Sequence, residues 1–296
     1  MRPAEQGFLL LTSSLGDPDR RPLSLSQLRI LGNRMANMPK PSLNRELTAE
    51  DLLSIGYGQA QAQRILSLLE DGLQLERYLL KGKKHGCVPL TRVSGCYPQR
   101  LRDRLGQESP GCLWAKGDLS LLEPPRIALV GSRDIRQENQ EFAWEAGVQA
   151  ARQGYVLVSG NARGADRIAQ DACLQNGGRV ICVIADELSS KTTDDRILYL
   201  SEDDFDQPFS ALRALSRNRI IHSLCEKTLV AQSSLHTGGT WDGTAKNLRL
   251  GLSSVFCFQD GSSAADALVQ LGAEPIIRSQ LKDFAALQPL IESFLK

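Results

Sequence analysis

From about residue 88 onward, short apolar runs repeatedly stop at glycine- or serine-rich turns and give way to stretches of helical periodicity. The runs are "RIALVGS", "YVLVSG", "GGRVICVIAD", "KTLVAQSS" and "SSVFCFQD". The helical stretches are "QENQEFAWEAGVQAARQG", Ala165 to Gln175, "SALRALSRNRIIHSLCE", "TAKNLRLGL" and "SAADALVQLG". Ahead of them "CVPLTRV" and "CLWAKG" read as short strands, and "LKDFAALQPLIESFLK" reads as a closing helix. Alternating apolar strands and helices build βαβ units, which predicts an α/β fold: a mostly parallel sheet with helices on both faces. Such sheets bind ligands beyond the carboxyl ends of their strands. The turns "GSR", "SGNARG" and "SSLHTGGTWDG" each follow a predicted strand, so they are expected to gather on one rim.

The preceding residues, 1 to about 82, read as a small helical domain. "LSLSQLRILGNRM" carries Leu25, Leu28 and Leu31 or Ile30 at helical spacing, and Thr48 with Asp51 three later marks a helix start. Gly56 and Gly58 interrupt that pattern before "QAQAQRILSLL" resumes it. Two helices around such a turn suit either packing or a DNA-binding hairpin. "LKGKKHGC" reads as a basic linker, leaving 83–296 for the larger domain. The seven cysteines are scattered, with no C-x-x-C, and are read as buried free thiols in a reducing, cytoplasmic setting. The apolar run near the N-terminus is too short for a membrane span.

The rim turns carry the chemistry. A helix N-terminus offers free amides and the positive end of the macrodipole, and glycine lets a ligand approach the backbone. Gly131, Ser132 and Arg133 form one candidate phosphate cradle; Ser159, Gly160, Asn161, Ala162, Arg163 and Gly164 form a second. Arg133 and Arg163 suit bidentate phosphate contacts, or else pair with nearby carboxylates. Asp166 sits where it caps a helix and stabilises its dipole. Arg217 and Arg219 flank Asn218 ahead of Ile220 and Ile221, so a polar face can aim at the rim while the isoleucines pack inward. Gly238, Gly239, Thr240 and Trp241 lie in a glycine-rich turn. Aromatics are only 5% of the chain, so Trp241 there either stacks on a base or plugs the loop onto the core.

Net charge is +1, so a polyanion would have to be met by a local basic groove and not by the overall field. The chain has no G-x-x-x-x-G-K-[ST], no G-x-G-x-x-G after a strand, no H-E-x-x-H and no G-x-S-x-G. Its three histidines, 85, 222 and 236, are far apart. No metal site, cofactor or nucleophile–base pair is expected, and the chain reads as a binding protein and not as an enzyme. The acidic stretches "ADELSS" and "TTDDRILYLSEDDFDQ" read as exposed loops.

"YPQRL" (Tyr97 to Leu101), "GDLSLL", "IALVGSRD", "VSGNARGAD", "GGRVICVI" and "RNRII" (Arg217 to Ile221) occur in the order of the DNA-processing protein A (DprA, or Smf) family, which residues 88 to 275 resemble. The resemblance implies a Rossmann-like domain that binds single-stranded DNA, often dimerises, and helps load a RecA-type recombinase during transformation. It implies that the helical N-terminal part is SAM-like. It also implies a phosphate pocket at Gly131, Ser132, Arg133, Ser159 to Gly164, and Arg217, Asn218 and Arg219. The family's Gly-Ser-Leu-Ile-Thr-Ala loop is replaced here by "TGGTWDGTAKN", the Pro-Gly after the following strand by "FQDGSS", and the chain reads as ending before the winged-helix domain many members carry. These departures bear on RecA loading, dimerisation and transformation more than on the fold. The alternative is a nucleotide-binding sensor of the same superfamily (SLOG-type), which includes phosphoribohydrolases. Lys246 and Asn247 stand near the position of that signature's glutamate.

Overall fold

The computed structural model describes residues 1–38 and 46–289. Five helices come first: α1 (Pro3–Thr12), α2 (Leu25–Ala36), α3 (Ala49–Ser54), α4 (Gln59–Leu69) and α5 (Gly72–Lys84). Two of them start on reciprocal caps. Thr48 accepts from the Asp51 amide while Asp51 accepts from the Thr48 amide, and Ser24 and Gln27 do the same for α2. Leu31, Leu52, Ile65 and Leu68 form a small core between α2, α3 and α4. The basic stretch expected as a linker is instead the last turn of α5, where Lys81, Lys83 and Lys84 face the negative end of the helix dipole.

The rest of the described chain runs β1 (Cys87–Thr91), α6 (Gln99–Leu105), β2 (Cys112–Lys116), β3 (Arg126–Val130), α7 (Gln137–Arg152), β4 (Val156–Ser159), α8 (Ala165–Gln175) and β5 (Arg179–Ile184). It continues through β6 (Ile197–Ser201), α9 (Ala211–Ser216), α10 (Asn218–Leu224), β7 (Lys227–Val230), α11 (Gly238–Leu250), β8 (Ser254–Phe258), α12 (Ser263–Gln270) and β9 (Glu274–Ile276). The nine strands form one sheet in the order β1-β2-β6-β5-β4-β3-β7-β8-β9. The β1–β2 and β2–β6 pairs are antiparallel and all others are parallel. From β3 the chain winds outward one way to β6, then crosses back to β7 on the other side of β3. The β3/β7 boundary is therefore the switch point, where a parallel sheet opens a crevice.

Both faces are covered because the strand side chains alternate. Ile127 and Leu129 point to the layer holding α1, α5, α7 and α8. Ala128 and Val130 point to the layer of α6, α10, α11 and α12. Helices α7 and α8 pack closely at Gly147, where an added Cβ would lie 2.9 Å from Ala172 Cβ and collide with the Ala169 carbonyl. Gly147→Ala is expected to lower stability by about 1–3 kcal/mol, since overpacking outweighs the better helix propensity of alanine. A urea midpoint at or above the parent's would show that this contact tolerates a methyl group.

Three expectations are corrected here. The acidic segment read as an exposed loop contains β6 and the fully buried Phe205, which stacks 4.5 Å from Tyr78 and meets Trp114 at 4.7 Å. Its carboxylates tie the N-terminal helices to the sheet. Asp204 accepts from the Ser14 amide (2.7 Å) and hydroxyl (2.6 Å), and Asp206 accepts from Tyr78 Oη and Lys81 Nζ, both at 2.7 Å. The glycine-rich turn at 238–244 is the beginning of α11. The closing helix is not seen in its described part, residues 281–289, which only the last two residues of a 3₁₀ turn (Arg278–Lys282) enter; residues 290–296 lie outside the described residues. All seven cysteines are free, six of them buried and Cys96 exposed. No helix among the described residues is long and apolar enough to cross a membrane.

Candidate functional site

A cleft of about 450 Å³ opens at the switch point, beyond the carboxyl ends of β3 and β7. One wall is Gly131, Ser132 and Arg133, which leave β3. Ser132 is pinned from both sides: its amide donates to Gln232 O at 3.0 Å, and its carbonyl accepts from the Ala165 amide at 3.2 Å. Gln232, which sequence reasoning missed, also bonds the Arg136 amide and the Asp134 carbonyl, knitting the turn after β7 to the turn after β3. Its signal in the sequence was no more than a polar residue just past a strand end.

The loop after β4 is shaped by Asp166. This carboxylate, buried in the first turn of α8, accepts from the amides of Gly160 (3.0 Å) and Ala162 (3.3 Å). It therefore folds the loop back on the helix, in addition to the dipole role expected of it. Burial pushes the Asp166 carboxyl above the usual range, against the pull of the neighbouring Arg217 charge and of those two amides. Gly164 has φ +84°, and a Cβ there would come within 2.5 Å of the Ser132 carbonyl oxygen, so glycine lets the two cradles meet backbone to backbone.

Arg217 forms the back of the cleft. It is 8% exposed, donates to the Gly160 carbonyl at 2.9 Å and to Asn218 Oδ1 at 3.0 Å, and its Nε has no partner among the described residues. Asn218 in turn donates to the Gly239 carbonyl at 3.0 Å. A single relay thus joins the loop after β4, the start of α10 and the first turn of α11. Gly238, Gly239 and Thr240 line the opposite wall, and no side chain caps the α11 amides. At the mouth, Arg133 is exposed and makes no hydrogen bond or ion pair with any described residue. It faces a site built of backbone amides and a buried guanidinium, an arrangement that attracts an anion.

A second groove of about 180 Å³ adjoins the cleft through Arg133, Ala162 and Arg217, and adds Gly160, Asn161, Arg163 and the half-exposed Phe209. Arg163 is 81% exposed and 3.9 Å from the almost fully exposed Asp134, a pair of little energetic weight. Three expected site residues are placed elsewhere. Ser159 is buried and its hydroxyl bonds Gln170. Arg219 turns to the far side of α10, where Glu202 and the Ser216 carbonyl hold it. Trp241 is 7% exposed and packed in the core beneath α11, with His236 edge-on at 4.7 Å, so its ring is not offered to a base. Asn247 is fully buried and bonded to Ser253, and Lys246 lines a separate groove, so neither position presents a carboxylate to the cleft.

The family model for DNA recombination-mediator protein A matches residues 89–283. DNA processing protein DprA of Streptococcus pneumoniae is 36% identical over 157 residues, covering 49% of this chain and 54% of that protein. Protein Smf of Escherichia coli is 29% identical over 198 residues, covering 63% of this chain and 52% of that protein. The chain spans about half the length of these two curated relatives. The X-ray structure of the S. pneumoniae protein superposes with a TM-score of 0.72 at 26% identity, covering 95% of this chain and 96% of that one. A Helicobacter pylori DNA processing protein A, described for its single-stranded DNA binding mode, shares the fold at TM-score 0.53 and 22% identity, over 64% of this chain and 90% of that one. With the family model covering well over half its length, the chain belongs to the DNA recombination-mediator protein A family.

Proposed function

We propose that this chain binds single-stranded DNA by its phosphate backbone at the switch-point cleft, and that it acts in DNA processing and recombination as a binding protein and not as an enzyme. The observation that carries the reading is the unpaired Arg133, poised at the mouth of a cleft backed by Arg217 and walled by the uncapped amides of α11. Gly131, Ser132, Ala162, Asn218, Gly238, Gly239 and Thr240 contact the strand from the cleft walls, and Gly160, Asn161 and Arg163 receive its continuation in the adjoining groove. The family's description as a recombination mediator supports the same reading. A second copy of the chain and a RecA-type recombinase are the protein partners, and the cytoplasm is the compartment.

The test is an electrophoretic mobility series with single-stranded and duplex DNA at two salt concentrations. The single strand is expected to bind at micromolar protein or below and to weaken steeply with added salt, because each phosphate contact releases a counterion. Failure to retard a single strand at low salt would overturn the reading.

A further inference from the structure

The cleft floor holds a side chain that the strand contacts above leave unused. His222, on α10, is 1% exposed and lines the cleft. Its Nδ1 lies 3.2 Å from Thr228 Oγ1, which lies 2.7 Å from Ser253 Oγ, which accepts from Asn247 Nδ2 at 2.9 Å. The protons in this buried chain can be placed one by one. The Ser253 amide can only donate, and it donates to Asn247 Oδ1 at 2.9 Å, so the nitrogen of that carboxamide faces the Ser253 hydroxyl. Ser253 Oγ accepts from Asn247 and gives its own proton to Thr228 Oγ1. Thr228 then gives its proton to His222 Nδ1, which must be bare. Either arrangement with an Nδ1–H leaves one hydroxyl proton, that of Ser253 or that of Thr228, without an acceptor among the described residues.

A neutral ring with a bare Nδ1 carries its hydrogen on Nε2. That atom has no hydrogen-bond partner among the described residues, and His222 lines the cleft, so its N–H is left for a ligand bound there. Burial, with the nearby Arg217 charge adding to it, holds the imidazole down to about 3, so the ring stays neutral at physiological pH.

We propose that His222 is a neutral N–H donor that binds a phosphate oxygen at the floor of the cleft, while Arg133 meets the phosphate at the mouth. The proposal rests on the strand-binding reading and adds a contact of different physical kind. A neutral donor releases no counterion. Its loss should therefore lower affinity equally at every salt concentration, whereas loss of an arginine contact also flattens the salt dependence.

The experiment compares the parent with His222→Gln, whose amide nitrogen can reach the Nε2 position, and His222→Asn, whose amide nitrogen stops near Nδ1. Oligothymidylate, thymidine monophosphate and inorganic phosphate are the probes, and imidazole nitrogen resonances are recorded with and without each. In the free parent the Nε2-protonated tautomer is expected, with the Nε2 resonance moving on addition of a probe. His222→Asn should bind oligothymidylate about tenfold more weakly with an unchanged salt slope, and His222→Gln should keep most of the parent affinity. A loss shared by all three probes identifies phosphate itself as the ligand group; a loss confined to oligothymidylate identifies the phosphodiester of a strand. Parent that binds no strand defeats the earlier reading, and the response of Nε2 to the two small phosphates then decides this one. An Nδ1-protonated ring, an Nε2 resonance that no probe moves, or a His222→Asn protein that binds like the parent overturns it.

Discussion

Replacing Arg217 with methionine is expected to weaken single-strand binding about a hundredfold and, separately, to destabilise the fold. The binding loss follows from position: Arg217 backs the cleft and carries the relay from the Gly160 carbonyl through Asn218 to α11. Removing a charge-assisted contact of this kind costs about 3 kcal/mol, which is roughly a hundredfold in affinity. The stability loss has a different origin. Asp166 is buried beside Arg217, and the guanidinium is the strongest influence opposing the upward push of burial on that carboxyl. Methionine would leave a buried carboxylate uncompensated, at a further cost of about 3 kcal/mol. The two losses can be told apart. Adding Asp166→Asn removes the stranded charge and should recover much of the melting temperature, but none of the binding. Wild-type affinity in Arg217→Met would remove this residue from the interface, and an unchanged melting temperature would show that Asp166 does not depend on it.

Arg133→Ala should lower binding alone. This side chain is exposed and makes no bond within the described protein, so its loss should leave thermal stability within experimental scatter. Affinity for single strands should fall by about 1.5–3 kcal/mol, roughly ten- to a hundredfold, and similarly for every base sequence, because a phosphate contact carries no sequence information. The plot of log affinity against log salt should become shallower by about 0.7, the contribution of one neutralised phosphate on a single strand. Fluorescence anisotropy across a salt series reads both quantities. An affinity loss that varied with base composition would reassign Arg133 from backbone to base recognition.

Much of this architecture was legible in the residues. Apolar runs ending in glycine, followed by helical periodicity, were enough to set out the parallel sheet and bring the three turns onto one rim. β6 and β9 were not read. The apolar run of β6 is flanked by six carboxylates within ten positions on its two sides, Asp194, Asp195, Glu202, Asp203, Asp204 and Asp206, and acidic flanks suggest solvent. Those acids are tolerable because several have fixed partners: Arg219 for Glu202, Ser14 for Asp204, Tyr78 and Lys81 for Asp206. Long-range pairing of this kind has no local signature. Trp241 and Arg219 show a related limit. Three glycines suggested an open turn where α11 begins, and alternate arginines suggested a shared polar face. Helical geometry turns Trp241 inward and sends Arg217 and Arg219 to different sides of α10. His222 was passed over because a lone histidine says little until the hydroxyls behind it are in place.

The ends of the sheet bear on how this protein can meet others. The two outermost strands are β1 and β9, and each contains a proline, Pro89 and Pro275. A proline lacks the amide hydrogen that a further strand would need and interrupts the ladder a newcomer would extend. β9 is also only three residues long and begins with a glutamate. Neither margin therefore presents an unbroken template for an added strand, which guards the molecule against edge-to-edge aggregation. Contact with another protein at these margins would accordingly be a matter of side chains and not of an added strand, open to mapping by surface substitution.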